Sequence, residues 1–289
     1  MFSLRRLHLR LVLGVLLSAS LSTTSAAEKP TPPPEQVPDL RSVNPRIACV
    51  GCGEPFDTRN HKKVLDGLVS NAYFAQLRRA LYLQDTYHQF ESRAHFDNCD
   101  FDNAGAYIDE LLAEVDRHVK QAQEAKAAKD DASMKKSGAA AFFALGQAVH
   151  GIQDFYAHSN FVELQAPKVK NVGDLRIVPL WTAPGRERVR ALVKDGLVSG
   201  YVWWGLPQRC PQGTPSHEAL AKDTDQTSSG KRPVPHFQNL PQYKVAEFLA
   251  RESTLTFFGY AFKRWPLLAE LNGKHVALEA LVDRRNGLK

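Results

Sequence analysis

From residue 61 onward, apolar residues recur at helical intervals. Over 61–90 they fall at Val64, Leu65, Leu68, Tyr73, Leu77 and Leu81, close to the 3.6-residue period of a helix with one buried face. Over 104–127 the same pattern sets Ile108, Leu111, Leu112, Val115 and Val119 against a charged outer face. Further helices are expected over 137–158, 185–200, 241–262 and 274–284. Alternating strand patterns are scarce. Between 205 and 240 lies a stretch rich in Gly, Pro and Ser, long enough to be functional rather than a plain connector. The expectation is an all-α, single multi-helix domain over 46–289.

The start of the chain reads differently. Arg5, Arg6 and Arg10 precede an apolar run from Leu11 to Leu17 and the small residues Ser25, Ala26 and Ala27. A basic start, a short apolar centre and a small-residue end are the marks of a secretory signal peptide over 1–27. Residues 28–45 hold Pro30, Pro32, Pro33, Pro34, Pro38 and Pro45, which predicts an extended linker. The expected product is secreted or periplasmic after cleavage near Ala27. In such a compartment Cys49, Cys52, Cys99 and Cys210 are expected to form disulfides, with all three pairings open.

Charge narrows the partners. The chain of 289 residues carries a formal +6. Removing 1–27 leaves 34 basic residues against 31 acidic ones. That balance lacks the concentrated positive charge of a nucleic-acid binder. The hydrophobic share of 43% and charged share of 24% exclude a disordered or multi-pass membrane chain.

The candidate chemistry sits in the helix over 137–158. Its first half, Gly138 to Val149, is apolar almost all round, as in a helix buried in a core. His150, Asp154 and His158 follow at four-residue steps and so share one face. A buried carboxylate and two imidazoles cost several kcal/mol unless each is paired or holds a metal. His150 and His158 stand about 12 Å apart along the axis, and Asp154 about 6 Å from each. With metal–ligand bonds of about 2 Å, the two histidines cannot share an ion. The spacing therefore favours more than one ion, with zinc suited to imidazole and carboxylate ligands. The competing reading is a core network in which Asp154 fixes two neutral histidines.

The segment Leu145 to Leu164, with His150, Asp154, His158, Asn160 and Glu163 in it, resembles the signature helix of the fungal heterokaryon-incompatibility (Het-C) proteins and their bacterial relatives. These form a branch of the zinc-dependent phospholipase C and single-strand nuclease superfamily. Ala94-His95-Phe96-Asp97-Asn98 resembles a second signature. Ser199-Gly200-Tyr201, Cys210, Ser216-His217 and Leu220-Ala221-Lys222-Asp223 resemble a third, with Pro235-His236 as its sequel. The resemblance runs over about 60–260 in consistent order.

It implies an all-α fold around two or three zinc ions. By position it makes His61, His95, His150, Asp154 and His158 metal ligands, with Asp154 the bridge, and His217 a further candidate. Asp85 takes the role of the carboxylate that orients the attacking water. The N-terminal ligand and the His-x-x-x-Glu pair of the phospholipases have no match here; His217, His236, Asp223 or Glu163 are the candidates for the second. The implied activity is phospholipase C-type cleavage of phospholipid head groups. The alternatives are a nuclease or nucleotidase on the same metals, or a non-catalytic exported protein with a structural metal site. Tyr201, Trp203 and Trp204 are read either as a rim for membrane-surface contact or as core aromatics.

Overall fold

In a computed structural model of the chain, residues 58–65 and 71–273 are described. The leader, the linker, the Cys49/Cys52 pair and the helix expected over 274–284 lie outside them. The described elements are almost entirely helical, so the chain is all-α. In order they are α1 (Thr58–Leu65), α2 (Asn71–Tyr87), α3 (Ser92–His95), α4 (Phe101–Ala127), α5 (Asp131–His158), α6 (Phe161–Gln165), α7 (Ala183–Lys194), α8 (His217–Leu220), α9 (Gln242–Arg264) and α10 (Pro266–Asn272). A two-residue strand, β1 (Pro233–Val234), pairs antiparallel with β2 (Leu240–Pro241) in the long connection before α9.

Helix α5 is the axis of the fold, packed against α4, α2 and α9. It starts at Asp130, whose side chain accepts a hydrogen bond from Ser133 N, a cap that satisfies one of the free amides of the first turn. Its first turns are exposed, and burial becomes complete only toward its end. Every residue from Ala148 to Ser159 is buried. The apolar half from Gly138 to Val149, by contrast, still shows edges at Ala139, Ala140, Phe143 and Gln147. The deepest part of the helix is thus the part that carries the polar side chains.

Close approach of α2 depends on a glycine. A Cβ on Gly146 would lie 2.6 Å from the Ala80 Cβ and 3.2 Å from the Leu77 backbone, so only hydrogen fits there. That contact brings α2 near enough for Asp85, five residues past Ala80, to reach His150.

Loops and helices are locked around this axis by Cys99–Cys210, a disulfide across a sequence separation of 111. No helix among the described residues is long and apolar enough to cross a membrane.

Candidate metal centre

Asp154 is the hub. It is wholly buried, and its two oxygens face different partners. Oδ2 lies 2.9 Å from His150 Nε2 and 3.1 Å from His95 Nδ1. Oδ1 lies 3.3 Å from His61 Nε2 and 3.9 Å from His158 Nε2. The four histidines come from three helices, α1, α3 and two turns of α5, and converge on one carboxylate. Asp85, at the end of α2, adds Oδ1 at 3.3 Å from His150 Nε2 and keeps 15% of its side chain accessible.

A chain of hydrogen bonds backs this half of the cluster. His61 Nδ1 lies 2.6 Å from Gln153 Oε1. Gln153 Nε2 donates to Thr254 Oγ1 at 3.1 Å, and Thr254 Oγ1 donates to the Ala250 carbonyl at 2.7 Å.

The other half gathers round His158. Asp97 Oδ1 is 3.6 Å from His158 Nδ1 and 3.0 Å from His217 Nδ1. Asp223 Oδ1 is 3.3 Å from His158 Nε2. The two halves keep His150 and His158 in separate groups of donors. Among the described residues, three such groups have donor atoms within 4.8 Å of one another: His61, Asp85 and His150; His95, His150 and Asp154; and Asp97, His158 and His217.

Loop geometry makes the second half possible. Phe96, Asn98 and Cys99 all take left-handed backbone angles, so the chain reverses sharply after α3. Asn98 pins the reversal. Its Nδ2 donates to Ser92 Oγ and to the Val202 and Gly205 carbonyls, and its Oδ1 accepts from Val202 N. Gly200 lies so near α8 that a Cβ there would meet the His217 Cα at 2.4 Å.

Lys222 ties the remaining end. Wholly buried, its Nζ donates to the Ser159 and Leu220 carbonyls at 2.8 Å each and pairs with Glu163 at 3.0 Å. Burial lowers its pKa, with Glu163 opposing. The lysine fastens the end of α5, which bears His158, to the segment that bears His217 and Asp223.

Electrostatics follow the same division. Burial pushes the Asp85 carboxyl up to about 7 against the pull of His61 and His95. Burial also drives His150 down to about 3 although Asp154 opposes it. At His158 burial favours the neutral ring, but Asp154, Asp97 and Asp223 outweigh it and raise the pKa to about 10. The Asp154 carboxyl is opposed by burial but held well below its usual range by His150, His158 and His61.

The donor set fits a divalent cation. His150 Nε2 has Asp154 Oδ2 at 2.9 Å, His95 Nδ1 at 3.1 Å and Asp85 Oδ1 at 3.3 Å. One nitrogen carries at most one proton, which can satisfy one of those three neighbours. A cation accepts a lone pair from His150, His95 and Asp154, which form one group of mutually close donors, and leaves Asp85 at the edge of the site. Tetrahedral ligands at bonds of about 2.0–2.1 Å stand about 3.3 Å apart, and these edges lie near that length. Both ring nitrogens of His158 and Nε2 of His95 are also buried without a hydrogen-bond partner, a costly state for a polar group that nothing coordinates. The buried His/Asp groups can therefore hold a metal ion.

All seven residues singled out from the sequence, His61, Asp85, His95, His150, Asp154, His158 and His217, lie in this cluster. Asp97 and Asp223 complete it. Asp97 stood in a recognised motif without a role, and Asp223 was one of four alternatives. The other two lie elsewhere: His236 donates to the Ala166 carbonyl at 2.6 Å, and Glu163 pairs with Lys222. Lys222 and Asp223, adjacent in sequence, face different partners, Glu163 and His158. Tyr201 and Trp203 are exposed and Trp204 is half-buried, so of the three none is a core aromatic.

Residues 71–173 match the family described as VWA7 N-terminal domain. The match takes in Asp85, His95, Asp97, His150, Asp154 and His158 and stops short of His61, His217 and Asp223. No curated protein and no solved structure matches the chain.

Proposed function

We propose that the chain is an exported, zinc-dependent phosphodiester hydrolase of the phospholipase C type, cleaving phospholipid head groups. The observation that carries this reading is the convergence of buried imidazole and carboxylate donors on His150 Nε2 and Asp154, open to solvent on the side of Asp85. The resemblance of the α5 and His95–Asp97 segments to Het-C-like proteins points the same way.

His61, His95, His150 and Asp154 would hold one or two ions, and Asp97, His158, His217 and Asp223 another. When bound, such ions supply charge that offsets the build-up on phosphoryl oxygens and make water acidic enough to attack at neutral pH. The rest falls to the chain's own groups. Asp85, the most accessible acid of the first half, orients the attacking water and takes its proton. The water oxygen bonds to phosphorus as the bond from phosphorus to the glycerol oxygen breaks. The leaving alkoxide takes up the proton that Asp85 accepted, releasing diacylglycerol and a phosphorylated head group. No side chain forms a covalent bond to phosphorus.

The test is to measure bound metal in the purified protein and to assay phosphatidylcholine and single-stranded DNA with and without chelator. The expected result is zinc in the protein and chelator-sensitive release of diacylglycerol, reduced by 100-fold or more in Asp85→Asn with metal retained. Turnover of DNA and not lipid would move the substrate to nucleic acid. Bound zinc with no diester turned over would leave the metals a structural role.

A further inference from the structure

Large apolar side chains that remain exposed are few among the described residues, and they are unevenly placed. Tyr87 (76% exposed), Phe90 (58%), Tyr201 (39%), Trp203 (72%) and Leu206 (68%) fall on two short segments, with Val193 alone elsewhere. The two segments are joined. Leu206 N donates to the Phe90 carbonyl and Ser92 N to the Leu206 carbonyl, both at 3.1 Å.

These are the segments on which the metal centre is threaded. Asp85 precedes Tyr87 by two residues, and His95 follows Phe90 by five. The Tyr201 carbonyl accepts a hydrogen bond from His217 N at 2.9 Å. The patch is also held stiffly, by the Asn98 side chain and by Cys99–Cys210, so its apolar groups cannot fold inward at small cost.

We propose that Phe90, Trp203 and Leu206, flanked by Tyr87 and Tyr201, form a docking surface for a zwitterionic phospholipid layer. The choice of a lipid rests on the phospholipase reading; the composition and charge of the patch support it separately. Tyrosine and tryptophan suit the head-group level, while Phe and Leu suit the acyl boundary beneath it. The nearby guanidinium groups are already neutralised. Arg93 pairs with Glu91 and Glu110, and Arg209 pairs with Asp100. Neither of these two guanidinium groups is left free to select an anionic surface. A second copy of the chain fits less well. Five side chains of this size, partly exposed, present on the order of 600 Å², short of the about 800 Å² per partner of a stable interface.

The experiment measures binding of the protein, as processed by its producing cell, to phosphatidylcholine vesicles by co-sedimentation. Quenching of tryptophan fluorescence by brominated lipid is read in parallel. Wild type is expected to bind, with little change between low and high salt. A Phe90→Ser/Leu206→Ser variant should bind at least tenfold more weakly, and Trp203→Ser should lose most of the quenching. Both should keep the wild-type far-ultraviolet dichroism and bound metal. Turnover of a water-soluble phosphodiester, scored separately, should be unchanged in all of them, so that a failure of docking and a failure of the hydrolase reading give different results. Wild type that ignores the vesicles, or variants that bind as wild type does, would overturn the proposal. So would a wild-type dimer that the variants convert to monomer, or binding that requires anionic lipid and vanishes in salt.

Discussion

The two halves of the metal centre are built by different means. In the first, His61, Asp85, His150 and Asp154 stand on helices of eight residues or more, and their placement follows from helix packing; His95 alone ends a four-residue helix, α3. In the second, only His158 belongs to a long helix. Asp97 and Asp223 lie in loops, and His217 opens a helix of four residues. Burial does not divide the same way, since His95 is 8% exposed in the first half and Asp223 only 1% in the second. A site mounted on packed helices holds its shape through the core. A site mounted on loops needs dedicated ties, here Asn98, Lys222 and Cys99–Cys210.

Four experiments can break or sharpen that contrast. The largest effect is expected from Asp154→Asn, since its two oxygens serve both halves. Metal content measured by mass spectrometry after dialysis should fall to near zero, because an amide gives up the charge that draws imidazoles and cations together. Retention of a full complement would show that the two halves do not share this residue.

Next comes Gly200→Ala. The added methyl meets backbone, which cannot turn aside, so His217 must move. Loss of the more weakly held metal is expected, with the tighter one kept. If both stay or both go, the division into halves is wrong.

Lys222→Met should act more gently and on the same side. Removing a buried ammonium leaves two carbonyls and Glu163 without their donor, and outer-shell partners of this kind are worth about 10–100-fold in metal affinity. A competitive chelator titration should show one affinity falling and the other unchanged. A Lys222→Arg variant, which keeps the charge, should fall between.

The smallest effect on metal is expected from Cys99→Ser/Cys210→Ser. Loss of a cross-link over this separation should lower unfolding stability by about 2–4 kcal/mol, read from denaturant midpoints, with the second half loosened by less than tenfold. An equal loss at both halves would mean that the disulfide supports the whole fold and not the loops.

The same contrast explains what could be read from the sequence. His150, Asp154 and His158 were visible because helical spacing converts directly into a shared face. The extents of α4, α5 and α9 followed from their apolar stripes to within a few residues, except that α5 begins six residues earlier than its stripe, where solvent-facing polar residues leave no signal. The part of the cluster that was illegible is the part held by loops. Asp97 is aimed by three left-handed residues around it, of which none is glycine. Asparagine tolerates that geometry, but Phe96 and Cys99 do not announce it, and three of the hydrogen bonds that hold the Asn98 amide go to Val202 and Gly205, over a hundred positions away. The role of Lys222 is equally hidden, because two of its acceptors are backbone carbonyls, which every sequence offers.

The hydrogen-bond chain behind His61 has one more consequence. The Thr254 hydroxyl spends its proton on the Ala250 carbonyl, so its oxygen is left to receive from Gln153 Nε2, and the glutamine amide is thereby fixed in one orientation. Its oxygen then demands a proton from His61 Nδ1, which leaves the lone pair of the opposite ring nitrogen on the side of Asp154. A main-chain oxygen in α9, remote from any ion, selects the tautomer on which His61 can coordinate at all.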